Sequence, residues 1–114
     1  TSQLQKSDEA LTAVQKAVAI NSSSIEAQFL LGTSLRKMQK FEDAEKSLQE
    51  ANKLAKGKFA DIHWNLALLY AHNLKKYAKA ADHLEQFLKI KPNDAQSENV
   101  KKLIKQFRDK AAGN

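Results

Sequence analysis

Residues 60–92 decide the fold, and they read ADIHWNLALLYAHNLKKYAKAADHLEQFLKIKP. Their apolar residues recur every three or four places, which is typical of helices with one buried face. A polar stretch at residues 72–76 interrupts the pattern, and Pro92 follows its end. The stretch therefore predicts two antiparallel helices, with small residues such as Ala67 and Ala80 where the helices approach each other.

The sequence repeats itself with a period of 34–36 residues. The second halves of the units align Ala10, Ala44 and Ala80, and three further apolar columns keep the same offsets of 34 and 36 residues. The first halves align at an offset of 35 residues. Independent columns that share one period indicate a repeated structural unit. The extra residues fall at 55–58 and 72–76, which we expect to be loops between helices because loops tolerate insertions.

The second unit resembles a tetratricopeptide repeat (TPR), a family with a 34-residue signature. The resemblance rests on Leu66, Ala67, Tyr70, Tyr77, Ala80, Leu84, Ile90 and Pro92. The family's tryptophan position falls on Gln28 and His63, and the aromatic residues of this chain stand one place later. The resemblance covers residues 7–94. It implies an all-α fold, an α-solenoid of antiparallel helix pairs forming a TPR-like superhelix, closed by a C-terminal capping helix.

The repeat predicts a single array over residues 1–114. Its parts are the second helix of a truncated repeat at 7–20, full repeats at 25–58 and 60–94, and the capping helix at 94–112. The serine run at 22–24 predicts that a serine caps the helix that follows. The helix at 7–20 would leave an apolar stripe uncovered, so we expect further repeats of a longer protein, or self-association, to cover it.

Composition limits the chemistry. The chain has no cysteine, which excludes disulfides and thiol catalysis. No apolar run reaches the roughly 20 residues of a membrane-spanning helix. His63, His72 and His83 are not spaced for metal ligation on one helix, so we expect exposed or half-buried histidines. No catalytic or phosphate-binding motif occurs, so we predict no enzyme activity, metal or cofactor. The composition fits cytoplasmic and extracytoplasmic proteins equally.

The net charge is +6. Its densest basic stretch has few acids nearby in the sequence and comprises Lys101, Lys102, Lys105, Arg108 and Lys110. Such a stretch could tether the chain electrostatically to nucleic acid or to an anionic membrane. We favour the solvated outer face of a capping helix, because that is the usual role of a charge run. Neither nucleic acid nor membrane is therefore the predicted partner.

The family resemblance implies a protein or peptide partner, bound in a concave groove lined by the first helix of each unit. Carried over position by position, the groove residues are Phe29, Thr33, Arg36, Lys37, Trp64, Asn65, Leu68 and His72. Aromatic and basic residues together suit a partner with apolar side chains and a nearby acidic group. Two alternatives stay open: Phe29 and Trp64 are core residues between units, or the chain is a structural segment for self-association or spacing in a larger protein.

Some members of the family hold the C-terminal carboxylate of chaperones with a fixed set of Lys, Asn and Arg residues. Only Asn65 matches that set here. The other expected positions carry Phe29, Thr33, Gln96 and Val100. We therefore predict that the chain has a different specificity.

Overall fold

The computed structural model describes residues 9, 11–13, 15–16 and 24–113. The helices within residues 24–113 are α1 (Ile25–Lys37), α2 (Phe41–Leu54), α3 (Ala60–Leu68), α4 (Tyr77–Ile90) and α5 (Ser97–Ala111). Residues 9, 11–13 and 15–16 are also helical, and the described part of the chain contains no strand. The rest of the predicted helix at 7–20, with most of its apolar stripe, lies outside the described residues.

The chain divides into two compact units, Thr1–Lys56 and Gly57–Asn114. In the first unit α1 packs against α2. In the second unit α3 packs against α4, and α4 packs against α5. A link of a few residues joins the two helices of each pair, so the pairs are antiparallel. These helix pairs confirm the all-α, TPR-type fold that the sequence predicts.

Close packing in the first unit depends on Gly32 of α1. A Cβ atom at this position would lie 2.6 Å from Leu48 Cγ and 2.8 Å from Leu48 Cδ2. Leu48 is itself fully buried, as are Ala44 and Ala51 on the same face of α2. The small residues therefore have the predicted role, since they allow the two helices to approach closely.

In the second unit, α5 packs against α4 and contributes apolar side chains to the core. Ala67 and Leu84 are buried between α3 and α4. Val100 and Phe107 are the buried apolar residues of α5, and the Phe107 ring lies 6.1 Å from the Tyr77 ring, centroid to centroid. None of the described helices is long and apolar enough to cross a membrane.

The two links between paired helices share one backbone design. Each has a residue with positive φ just before the second helix, Gln39 (62°) in the first unit and Lys75 (56°) in the second. The amide of Lys40 donates to Leu35 O at 2.9 Å, and that of Lys76 donates to Tyr70 O at 2.8 Å. The second link is therefore longer by one residue.

The structure takes up this extra residue in a π-helical turn, Leu69–Asn73, that continues α3. The amide of Leu74 donates to Leu69 O at 3.0 Å, which closes the wide turn. The prediction that the extra residue at 72–76 lies in a loop between helices is thus wrong. A wider turn keeps the backbone hydrogen bonds of the helix end, whereas a looser loop would leave them unpaired.

Candidate functional site

The predicted site residues of the first unit share one face of α1. Phe29, Thr33 and Arg36 are half-buried, and Lys37 is exposed at the helix end. Thr33 Oγ1 donates to the carbonyl oxygen of Leu30 at 3.0 Å, so the helix backbone already uses this hydroxyl. Aromatic, polar and basic side chains therefore lie together on one face of α1.

The same face holds an apolar side chain that sequence reasoning missed. Leu30 is 46% exposed, although leucine is normally buried. It lies 35 residues before Asn65, which was among the predicted site residues. That equivalence is the signal that would have identified Leu30.

The predicted residues of the second unit lie on α3 and on its π-helical end. Trp64, Asn65 and Leu68 are half-buried, and His72 is exposed. The Trp64 ring meets the Phe87 ring of α4 at 5.6 Å between centroids, with an interplanar angle of 49°. The indole therefore rests on α4 without being enclosed by it.

Asn65, the one match to the carboxylate-binding set, has its amide engaged locally. Its Nδ2 donates to the carbonyl oxygen of Asp61 at 2.8 Å, one turn earlier in α3. A side chain held by its own helix has fewer donor hydrogens for an incoming carboxylate. This contact adds to the sequence argument against that specificity.

A pair of histidines lies between α3 and α4. His63 Nδ1 is 2.9 Å from His83 Nδ1, and His63 Nε2 is 2.8 Å from the carbonyl oxygen of Gly57. His63 is only 3% exposed, so the expectation of exposed or half-buried histidines is wrong for this residue. Single-helix spacing could not reveal the pair, because its two members come from opposite helices of a hairpin.

The two hydrogen bonds assign the protons of the neutral pair. A carbonyl oxygen can only accept, so His63 Nε2 carries the hydrogen that it donates to Gly57. His63 Nδ1 is then the acceptor, and His83 Nδ1 is the donor. The ring centroids are 5.2 Å apart, which is close to the nitrogen–nitrogen distance plus two ring radii. The two nitrogens therefore point at each other, as a hydrogen bond requires, and do not converge on a third point.

Aromatic and charged neighbours complete the surroundings of His83. The Tyr70 ring stacks on the His83 ring at 5.7 Å and 14°, and Lys79 Nζ lies 5.6 Å from the Tyr70 centroid. Burial lowers the pKa of His83 from its ordinary 6.5 to about 4, and His63 and Lys79 add to the decrease while Asp82 opposes it. The imidazole is therefore neutral at neutral pH.

These histidines do not form a metal centre with other ligands. In the described part of the chain, no three His, Asp or Glu side chains come together as a group that could hold a metal ion. The pair instead satisfies the polar atoms of two helices in a place where the family has a tryptophan.

The basic residues of α5 are engaged more than their sequence neighbours suggested. Arg108 donates to Asp82 at 2.8 Å and to Glu85 at 2.9 Å, both on α4. Hydrogen bonds to these two carboxylates raise the pKa of Arg108 above its ordinary value. The prediction that the basic stretch faces few acids is therefore wrong at Arg108, because its acidic partners lie 23 and 26 residues earlier in the sequence.

Two further basic residues of α5 also have partners. Lys101 Nζ lies 3.2 Å from Glu98 on the same helix. Lys110 Nζ lies 5.1 Å from the centroid of the Tyr77 ring, where the ring's negative face attracts a cation. The basic stretch is therefore not a uniform, unpaired cationic surface.

Comparison with solved structures places the chain among repeat proteins. It is 26% identical to a crystal structure of the MamA protein, with a TM-score of 0.77 over 94% of this chain and 59% of that chain. YrrB, described as a TPR protein with an unusual peptide-binding site, is also 26% identical, with a TM-score of 0.75 over 89% of this chain and 51% of that one. The chain thus spans little more than half the length of these two proteins.

A third structure shows the fold at lower identity. The first TPR of Spaghetti (RPAP3), bound to the HSP90 peptide SRMEEVD, is 20% identical, with a TM-score of 0.78 over 91% of this chain and 81% of that chain. No curated protein sequence gives a significant match.

A family model decides the assignment. The model described as "Tetratricopeptide repeat" matches residues 29–95, which is more than half of the chain. The match agrees with the helix pairs and with the buried small residues at Gly32, Ala67 and Ala80. The chain belongs to the tetratricopeptide repeat family.

Proposed function

We propose that this chain is a non-catalytic interaction module that binds a protein or peptide through the exposed faces of α1 and α3. The contact residues on α1 are Phe29, Leu30, Thr33, Arg36 and Lys37. Those on α3 and its π-helical end are Trp64, Asn65, Leu68 and His72. Each face is a separate binding surface in this proposal, and each can be tested by itself.

The observation that carries the proposal is an apolar surface that the fold leaves uncovered. Leu30 is 46% exposed, and Phe29 beside it is half-buried. At the equivalent place on α3, the Trp64 indole rests on Phe87 and is only half-buried. Large apolar side chains that are supported on one side and open on the other are typical anchors of a protein interface.

The polar residues of both faces suggest the character of the partner. Each face ends in a basic side chain, Lys37 on α1 and His72 on the π-helical turn, and both are exposed. A cation at the C-terminal end of a helix is stabilised by the helix dipole. An acidic group next to apolar residues would complement such a surface.

The similar structures support this kind of function at a coarse level. YrrB has a peptide-binding site, and the Spaghetti structure contains a bound peptide. Both are TPR proteins, so peptide binding is compatible with the fold of this chain. The identity of its own partner depends on the residues of its faces.

An electrostatic tether through α5 receives less support from the contacts. Arg108 is committed to Asp82 and Glu85, and Lys101 is paired with Glu98. A tether also needs several phosphate contacts to gain useful affinity. We therefore place the partner on α1 and α3.

Selection of random displayed peptides on the whole chain tests the proposal. The selected peptides would be titrated calorimetrically against Leu30→Ser and Leu68→Ser variants, which remove apolar surface from one face each. We expect at least one of the two changes to weaken each selected peptide about tenfold or more.

The matched control changes an exposed lysine of α5 that has no place in the proposed faces, Lys102→Ala. Affinity that is the same in both leucine variants and in the control would show that the peptides bind elsewhere. Thermal unfolding of each variant would show whether a loss of affinity reflects a loss of fold. Failure of all selected peptides to lose affinity in either leucine variant would rule the faces out.

A further inference from the structure

The N-cap of α3 departs from the rule that the first unit follows. Ser24 caps α1, as predicted for the serine run, and accepts a hydrogen bond from the amide of Ala27 at 3.1 Å. The equivalent residue before α3 is Phe59, which makes no capping hydrogen bond and is 51% exposed. A phenylalanine at a cap position gives the helix end no hydrogen bond, and here it also leaves half of its apolar surface in water. Local choices that oppose folding are expected at functional positions.

A second exposed apolar residue lies at the same end of this helix pair. Ile90 is the last residue of α4 and is 37% exposed. The contacts between His63 and His83, and between Trp64 and Phe87, fix the antiparallel register of α3 and α4. Extended to the hairpin end, this register brings the residue before α3 next to the end of α4.

A packed aromatic residue lies next to Ile90 on the same face of α4. Phe87 lies three residues before Ile90, on the same face of α4, and its ring packs on Trp64. Ile90 therefore lies on the face of α4 that also carries the Trp64–Phe87 contact.

Lysines flank the two apolar residues in the sequence. Lys58, Lys89 and Lys91 are their sequence neighbours, all three are exposed, and no ion pair among the described residues engages them. Two acids lie nearby. Asp61 is in the first turn of α3, and Asp94 Oδ1 accepts from the amide of Gln96 at 2.9 Å just before α5. Both carboxylates are thus at helix starts, where they offset the helix dipole.

We propose that this end of the second unit is a second binding surface, which takes an acidic peptide segment that carries a large apolar side chain. We call it the end surface and define it as Lys58, Phe59, Lys89, Ile90 and Lys91. Phe59 and Ile90 contact the apolar side chain, and the lysines pair with the flanking carboxylates. The end surface shares no residue with the proposed contact residues of α1 and α3, so this inference does not depend on the proposed function.

The exposed lysines of the end surface favour an acidic peptide as its partner. An anionic membrane would also attract lysines, but two apolar side chains bury little area in a bilayer, and stable interfacial binding needs a larger apolar face. A peptide needs only one anchor pocket with ionic contacts around it.

The experiment uses the whole chain and a short fluorescein-labelled peptide in which glutamate alternates with phenylalanine or leucine. Fluorescence anisotropy at low salt measures its affinity. We expect Phe59→Ser to weaken binding about tenfold or more. The same variant introduces the residue that caps α1, so its melting temperature should equal or exceed that of the wild type. A variant that is at least as stable but binds less well separates binding from folding.

Charge-reversed variants test the ionic part. Lys58→Glu combined with Lys91→Glu should weaken peptide binding, and added salt should reduce the difference from the wild type. Lys102→Glu combined with Lys105→Glu changes the net charge equally on α5 and should leave binding nearly unchanged.

Several outcomes would overturn the end surface. They are wild-type affinity in Phe59→Ser, equal losses in the two charge-reversed pairs, and no peptide binding by the wild type. Binding to phosphatidylserine vesicles that exceeds peptide binding would make the site a membrane contact. A mass that doubles with concentration in the wild type but not in Phe59→Ser would make it a contact between copies of the chain.

Discussion

Where α1 has Gly32, the equivalent position of α3 has Ala67, and the partner helices have buried leucines at equivalent positions, Leu48 in the first unit and Leu84 in the second. In the first unit, a methyl group at Gly32 would overlap Leu48. In the second unit that methyl group is present, on Ala67, which is buried. Equivalent positions of one repeat therefore carry side chains of different size.

The two units also fill the family's tryptophan position differently. The first unit has Gln28 there and Ser47 across from it, both buried. The second unit has His63 and His83 at the same two positions, 35 and 36 residues later. Both units thus bury polar groups between their helices, where hydrogen bonds are needed to offset the loss of water. Only the second unit uses imidazole side chains for this purpose.

The comparison shows which parts of the repeat are constrained. The small and apolar columns keep the helices together in both units, although their sizes are adjusted locally. The polar pair and the N-cap vary in chemistry, and the link to the second helix differs by one residue in length. Each of these differences can be tested by giving one unit the residue that the other unit has at the equivalent position.

The largest change in the free energy of unfolding is expected from Gly32→Ala. Alanine is the better helix former by about 1 kcal/mol. The added methyl group would nevertheless meet Leu48 Cγ at 2.6 Å and the backbone nitrogen of Leu48 at 3.2 Å, and Leu48 is fully buried. We expect the free energy of unfolding to fall by about 1–3 kcal/mol, as for other overpacked cores. Urea unfolding followed by circular dichroism would measure it.

A double-mutant cycle with Leu48→Ala identifies the clash as the cause. Without the leucine side chain, Gly32→Ala should become neutral or stabilising because only the gain in helix propensity remains. The matched change in the second unit, Ala67→Gly, should destabilise by about 1 kcal/mol through lost propensity. If Gly32→Ala were equally harmful with and without Leu48, the close approach of the helices would not be the reason.

The next effect concerns acid sensitivity of the second unit. The folded pKa of His83 is depressed to about 4, whereas the unfolded chain titrates near 6.5. Between these values the unfolded state binds more protons, so stability is complete above pH 6.5 and is lost as the pH falls toward 4. The shift corresponds to at most about 3 kcal/mol. Solvent reaches part of the ring, so we expect about 1–2 kcal/mol.

Fluorescence of Trp64, the single tryptophan, reports unfolding of the second unit. His83→Gln keeps a neutral donor for His63 Nδ1 and removes the titration. The difference in unfolding free energy between variant and wild type should therefore change between pH 7 and pH 4.5, in favour of the variant at low pH. Parallel pH profiles for the two proteins would contradict the assignment, since other acidic groups titrate equally in both.

Much of the fold was predictable because the same pattern of small and apolar residues recurs in successive units. The columns that contain Ala44 and Ala80 share one period, and the same small residues are fully buried in the structure. The capping role of Ser24 was predictable from local chemistry, because serine is one of the preferred residues at a helix N-cap. Each of these signals depends on residues close together in the chain or on exact repetition.

The remaining features depend on contacts between distant residues. The His63–His83 hydrogen bond spans 20 residues, and the Arg108–Asp82 pair spans 26. Neither sequence separation indicates a contact unless the packing of the helices is known. The exposed side chains of Leu30 and Phe59 were also missed, because an apolar residue in a helical pattern is read as core unless the orientation of its face is known.

A smaller effect is expected at the helix N-termini. Ser24→Ala removes the acceptor for the Ala27 amide and should lower stability by about 1 kcal/mol. The reverse change in the second unit, Phe59→Ser, should leave stability unchanged or raise it by up to about 1 kcal/mol. Thermal unfolding of both variants measures the pair of effects. Ser24→Gly is the control, because glycine is tolerated at an N-cap and should cost only a few tenths of a kcal/mol.

The smallest change in the free energy of unfolding is expected from deletion of His72. The exposed His72 side chain lies in the π-helical turn, and the first unit makes the same connection with one residue fewer. Deletion should convert Leu69–Asn73 to an ordinary helical turn, with the Lys76 amide still donating to Tyr70 O as Lys40 does to Leu35 O. We expect a change in unfolding free energy below about 1 kcal/mol, measured with urea.

The reciprocal insertion completes this test. One alanine added between Lys37 and Met38 gives the first link the length of the second, and a π-helical turn can absorb it without unpaired backbone groups. Deletion of the buried Ala71 is the control, since it removes core packing as well as one residue and should cost more. If deletion of His72 abolished cooperative unfolding, the longer link would be a requirement of the second unit. If both length changes are mild, the helix end absorbs single insertions, and this explains how the period varies from 34 to 36 residues while the core columns stay aligned.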